Sequence, residues 1–180
     1  MNVVAEEIEL LRSIDEILKS KDLRAKIDLI VTEVEQKLAG QPDELLTYEP
    51  IPLSIYGEAL PDCIRSSWVF ILRAETITGA ERHPNSHQRM MSYRGTGDMQ
   101  TMSDDRWQSN FLVSDKDAGI EKRWVSIPTN VWHQPVVGKE NWAVVAFHTV
   151  LDNELIEERP NSTDFKSTRQ RIYLAQSHSD

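Results

Sequence analysis

Side chains able to bind a metal or move a proton are concentrated in one short stretch, Gly79-Ala80-Glu81-Arg82-His83-Pro84-Asn85-Ser86-His87-Gln88. It holds the possible donors Glu81, His83, His87 and Gln88, and a further histidine follows in Pro128-Thr129-Asn130-Val131-Trp132-His133. Residues two apart on a strand point the same way, so Glu81 and His83 can share one face. Two ligand sets follow. Strict alternation carried on from His83 turns His87 to that face, giving His83, His87 and His133, three imidazoles of the kind found in catalytic zinc sites. A reset of the strand at Pro84-Asn85-Ser86 turns Gln88 there instead. His148, on Trp142-Ala143-Val144-Val145-Ala146-Phe147-His148, shares a face with Trp142, Val144 and Ala146 and reads as a core histidine. Arg89, Tyr93 and Arg94 could meet a substrate carboxylate or hydroxyl.

The elements that must position these residues change character along the chain. Val4, Ile8, Leu11, Ile14 and Leu18 fall at helical spacing between acidic residues. Leu23, Ile27, Ile30, Val31, Val34 and Leu38 predict a second helix, closed by Gly40 at positive φ. Residues 41–65, with Pro42, Pro50, Pro52, Gly57 and Pro61, are expected to be a linker along the body that follows. From Trp68 the period becomes two. Strands are expected at 68–76, 89–94, 98–102, 109–113, 122–127, 142–151 and 170–174, which argues for a sandwich or barrel over a parallel α/β sheet. Residues 176–180 are expected to be a disordered tail.

The chemistry-bearing stretch resembles the first motif of the cupin superfamily: glycine, five residues, His-x-His, three or four residues, glutamate, six residues, glycine. With Gly95 as the closing glycine, Glu81 and His83 take the histidine slots, Gln88 the glutamate slot, and Glu75 stands for the opening glycine. The second motif, Pro-x-Gly-x-x-His-x-x-x-Asn, is filled by Pro128, Asn130 and His133, with Val137 in the last place. Asn130 is the residue after glycine best suited to a left-handed turn. The resemblance covers about residues 66–151. It implies a mainly β chain: a cupin-type antiparallel β-barrel (jelly-roll) over 66–175, preceded by two α-helices in residues 1–40. It also implies one divalent metal on Glu81, His83, Gln88 and His133, with the register reset that leaves His87, with Tyr93, to move protons. Mixed nitrogen and oxygen ligation suits Fe(II), Mn(II), Ni(II), Co(II) or Zn(II).

The function implied is a metal-dependent enzyme of dioxygenase, lyase or isomerase type on a small molecule. Neutral Gln88 in an acidic slot favours an anionic substrate. The alternatives are a non-catalytic sensor or binding barrel, and a metal-free sugar isomerase or epimerase in which His83 or His133 is the base. With 29 acids against 20 Lys and Arg, a net charge of −9 and no basic block, nucleic acid and anionic membranes are disfavoured as partners. A single cysteine, no leader-like start and no long apolar run point to the cytoplasm and away from a membrane. Two apolar-striped helices and an open barrel face lead to the expectation of a homodimer.

Overall fold

The computed structural model describes residues 5–163 and 165–173. Val4 and the 176–180 tail lie outside them. Helix α1 (Ala5–Leu18) and helix α2 (Lys21–Ala39) are joined at Lys19 and Ser20, and the Ser20 hydroxyl caps α2 by accepting from the Leu23 N–H. Gly40 ends α2 with φ −77° instead of the expected positive φ. The last turn tightens, with the Gln41 N–H bonding the Leu38 carbonyl, so no left-handed residue is needed there.

Strands β1 (Leu46–Ile51), β2 (Ser66–Leu72), β3 (Gln88–Arg94), β4 (Thr96–Ser103), β5 (Arg106–Gln108) and β6 (Phe111–Val113) follow. A helical turn, α3 (Ile120–Arg123), then leads into β7 (Trp124–Ile127), β8 (His133–Val137), β9 (Trp142–His148), β10 (Ile156–Pro160) and β11 (Thr168–Ile172). One antiparallel sheet has the order β1-β2-β9-β3-β7, and a second is built on β4 with β5, β6 and β8. Strands β10 and β11 form a separate two-stranded ribbon. The stretch expected as a linker thus supplies β1, an edge strand, where Pro50 costs no ladder hydrogen bond. Strand β5, the short strand β8 with its internal Pro135, and β10 were not legible from the alternation, whereas α3 takes the start of the expected 122–127 strand.

Alternation on the five-stranded sheet feeds two cores. Trp68, Phe70, Leu72, Met90, Val125, Ile127, Trp142, Val144 and Ala146 face Met99, Leu112 and Val137 of the second sheet across the barrel interior. Val69, Ile71, Met91, Tyr93, Val145 and Phe147 point the other way, under Leu11, Ile14, Leu18, Ile27, Val31, Val34 and Leu38 of the helices. The result is an antiparallel, cupin-type β-barrel carrying its two N-terminal helices on the outer face of one sheet. The helical stripes are therefore buried within one subunit, and they no longer call for a second copy. Gly97 is fixed by this packing, because a Cβ there would overlap the indole of Trp142.

Polar clasps fix the helices' position. Asp15 of α1 is buried and accepts from both Nη atoms of Arg123, at 2.5 and 2.6 Å, and from Trp124 Nε1. Burial alone would raise the Asp15 pKa, but these donors hold it below its usual value. Asp15→Ala leaves the Arg123 guanidinium buried without a counter-charge, so stability should fall by about 3–5 kcal/mol. Equilibrium urea unfolding of wild type and variant measures the difference, and a loss under about 1 kcal/mol would show the clasp to be dispensable.

Candidate metal centre

One end of the barrel collects the chemistry. Residues 83–87 leave strand geometry, so Gln88 starts β3 on the same face as Met90, in the barrel interior. Glu81 and His133 form an antiparallel bridge, their backbone groups bonding at 2.8 and 2.9 Å. The turn before His133 is set by Asn130, whose φ of 64° is the left-handed conformation expected of the motif glycine. Glu75 likewise holds φ 59° in the opening glycine slot, and Gly95 has φ 84° in the closing one.

Donor atoms of Glu81, His83 and His133 all lie within 4.8 Å of one another, and all three residues are largely buried. The His83 and His133 rings are 5.3 Å apart. His83 Nδ1 is 2.9 Å from the Ile156 carbonyl and His133 Nδ1 3.1 Å from the Val131 carbonyl. A carbonyl can only accept, so both rings carry their proton on Nδ1 and present bare Nε2. Burial, followed by the neighbouring His133, lowers the His83 pKa, which keeps that ring neutral near pH 7. Glu81 resists the rise that burial would cause, because the Arg159 guanidinium, at 2.5 Å, holds its pKa far below the usual carboxylate range.

His148 stands beside this group. It does share a face with Trp142, Val144 and Ala146, but that face is the barrel interior, and its ring is 5.1 Å from that of His83. Its cross-strand partners are Gln88 and Ser66. Ser86 Oγ donates to the His87 carbonyl and accepts from the Thr149 N–H, leaving it free to accept from His148 Nδ1 at 3.1 Å. Among the described residues the Nε2 atoms of His133 and His148 and Oε1 of Gln88, all buried, have no hydrogen-bond partner. Three unsatisfied lone pairs at one barrel end are costly unless something electropositive sits among them. The donor set fits a divalent ion.

The expected proton movers lie elsewhere. His87 faces the helix layer: its Nε2 is 2.6 Å from Ser126 Oγ and 3.6 Å from Glu7 Oε1 of α1. Tyr93 bonds Asp28 and the Arg24 carbonyl of α2, while Arg89 grips Glu7 and Arg94 pairs with Asp28 and Glu35. The same reset that turns Gln88 inward turns His87 outward, and Tyr93 follows Met91 on the outer face. Tyr173 is the phenol near the site. Its ring is 6.1 Å from that of His83, its hydroxyl is hydrogen-bonded to Glu157, and burial pushes its pKa well above the ordinary value. Arg159 joins the site through Glu81, at 2.5 Å, and Glu157, at 2.7 Å. Neither had a sequence signal beyond its residue type. The tryptophans serve as packing: Trp68 and Trp142 fill the barrel, Trp124 lies under α1, and Trp132 packs against Arg82 and Phe165.

No protein-family model and no curated protein matches the chain. Among solved structures it is similar to the capsular polysaccharide assembling protein CapF from Staphylococcus aureus, with 16% identity and a TM-score of 0.48 over 61% of this chain and 27% of that one. It is also similar to oxalate oxidase in complex with the substrate analogue glycolate, with 12% identity and a TM-score of 0.46 over 60% of this chain and 52% of that one. Pumpkin seed globulin shows 16% identity and a TM-score of 0.49 over 65% of this chain and 28% of that one. The matches span about a quarter to a half of those proteins, and none of their activities transfers to this chain on likeness at that level. Among the described residues no helix is long and apolar enough to cross a membrane.

The position of His87 generates a test. Burial, followed by Arg89, lowers its pKa from 6.5. Such a histidine takes up its proton more readily unfolded than folded, so its contribution to stability is full above about 6.5 and is lost as pH falls through that value. Wild-type melting temperature should therefore drop between pH 7.5 and 5.5 by more than that of His87→Gln, followed by circular dichroism. Equal drops would show that the Glu7–Ser126–His87 contact carries no proton linkage.

Proposed function

We propose that this chain is a cupin-type enzyme that holds one divalent metal inside its barrel and acts on a small anionic organic molecule by dioxygenase or lyase type chemistry. The observation that carries the reading is the cluster of Glu81, His83 and His133, whose donor atoms lie within 4.8 Å of one another, with Nε2 of His133 buried and without a hydrogen-bond partner among the described residues. His83 and His133 would hold the ion with Glu81 and Gln88, and His148 stands as a further imidazole donor. An ion of the Fe(II), Mn(II), Ni(II), Co(II) or Zn(II) group supplies Lewis acidity toward a substrate oxygen.

The residues of the chain set the rest. Backbone carbonyls at Ile156 and Val131 orient two of the imidazoles, and Ser86 orients the third. Leu155 and the barrel core exclude water from below. Tyr173 keeps its proton at neutral pH and is placed to hold or deliver it near His83. His87 and Tyr93, bonded to the helices, take no part in the reaction. A metal-free isomerase would use one of these histidines as a base. That reading leaves three buried lone pairs unexplained and is the weaker one.

Elemental analysis of protein purified without chelator tests the proposal. Wild type should carry about one divalent ion per chain, His133→Ala should lose it, and Gln88→Ala should hold it less tightly, by about 10–100-fold if the amide supports the first ligands. His87→Ala should keep the metal at the wild-type level. Retention by His133→Ala, or loss by His87→Ala with retention by Gln88→Ala, would overturn the assignment.

A further inference from the structure

The side chains that would hold the ion are shut in. His83, Gln88, His133 and His148 are buried, and Glu81 is largely so, bonded to Arg159 at 2.5 Å. A substrate therefore needs a way in. A cavity of about 980 Å³ lies close by, between β1 and the β10–β11 ribbon, with Leu46, Tyr48 and Pro50 on its β1 wall. None of those five residues lines it. Glu157, Arg159 and Tyr173 do, and two of these also meet the buried group: Arg159 bonds Glu81, and the Tyr173 ring lies 6.1 Å from that of His83. Cavity and site are thus divided by a partition one side chain thick.

The members of this partition are held with very different strength. Glu157 is buried and takes bonds from Arg159 and Arg171, while Arg159 also bonds Glu81 and the Thr78 carbonyl. Moving either one breaks charge-assisted bonds in a dry setting. Tyr173 is uncharged. Its hydroxyl bonds Glu157, its N–H reaches the Leu155 carbonyl at 3.3 Å, and its carbonyl accepts from the Tyr48 hydroxyl at 3.4 Å, two contacts at the long limit of a hydrogen bond. It directly follows β11, an outer strand whose ladder partner among the described residues is β10 alone. The rest of its anchoring is ring contact, with Tyr48, Trp68 and Phe70 at 4.9, 5.7 and 6.0 Å and with the Arg171 guanidinium lying over the ring. The ring can leave this cluster for the cavity without breaking an ion pair, and the cavity has room to receive it.

We infer that Tyr173 is the gate between this cavity and the buried site: a small molecule collects against Leu46, Tyr48 and Pro50 and reaches His83 when the Tyr173 ring swings out. The inference rests on the proposed function for what the passage serves, not for the passage itself. Local opening of this kind draws on the least firmly held part of a structure, and here that part is the residue at the end of the outer ribbon strand.

Modification of single histidines by diethyl pyrocarbonate, in the full chain freed of metal by a chelator and read by tandem mass spectrometry, tests the inference. The reagent attacks a bare imidazole nitrogen, so the His83 rate reports how often the partition opens, and His87, which faces the helix layer, serves as reference. Tyr173→Ala should raise the His83 rate at least about tenfold relative to His87, and Tyr173→Phe, which keeps the ring but loses the Glu157 bond, should raise it by a smaller factor. Circular dichroism shows which variants fold, and the Phe variant decides alone where the Ala variant does not. A rise at His83 in a folded variant without one at His87 supports the gate. An unchanged His83 rate in every folded variant, or a rise that His87 shares, would overturn it. Metal content of the same proteins before chelation separates the two readings. A selective rise in protein that binds no metal keeps the gate and sinks only the metal centre, and metal-binding protein with no such rise does the reverse.

Discussion

Unpartnered imidazole nitrogen atoms buried at one end of an apolar barrel are the constraint around which this molecule is arranged. Everything near them serves either to fix which nitrogen is bare or to keep water away. The Ile156 and Val131 carbonyls and Ser86 take the Nδ1 protons of His83, His133 and His148. The Glu81–His133 bridge, which belongs to neither sheet's main ladder, brings the two motif stretches together at hydrogen-bond distance. A buried nitrogen lone pair without a donor costs free energy, so a chain that keeps His133 Nε2 in that state 3.5 Å from the Glu81 carboxylate has a strong reason to hold an ion there.

The layer of helices explains why the barrel can concentrate its polar groups at one end. The five-stranded sheet is covered on both faces, by the second sheet on one side and by α1 and α2 on the other, so nearly every residue of β2, β3, β7 and β9 is buried. Outward-facing polar residues on these strands are matched to the helices: Arg89 and Ser126 to Glu7, Tyr93 to Asp28, and Arg123 to Asp15. These residues have the types of an active site and the partners of a scaffold.

How much of this could be read from the sequence depended on whether a signal was local. The two helices were legible because their apolar spacing is regular, and the barrel was legible because β2, β3 and β9 alternate cleanly. Gln88, His83, Glu81 and His133 were named through motif slots, and strand β3 starts at Gln88 after the turn at Pro84-Asn85-Ser86. That His148 stands beside His83 was not visible in the alternation, which tells only which residues share a face. Tyr173 and Arg159 carried no signal because they come with the ribbon, which is tied to the site by the Arg82–Glu158 bridge, a contact between segments far apart in sequence. His87 and Tyr93 are bonded to α1 and α2, and helix docking leaves no trace in strand patterning.

The central claim is that an ion sits among these particular side chains, and a crystal structure of protein loaded with Co(II) or Zn(II), with anomalous data at the metal edge, tests it most directly. The account predicts one strong anomalous peak inside the barrel, about 2.0–2.2 Å from Nε2 of His83 and His133, with Glu81, Gln88 or His148 completing the set. A barrel that remains without a peak there at saturating metal, or a peak only at surface carboxylates, would contradict it.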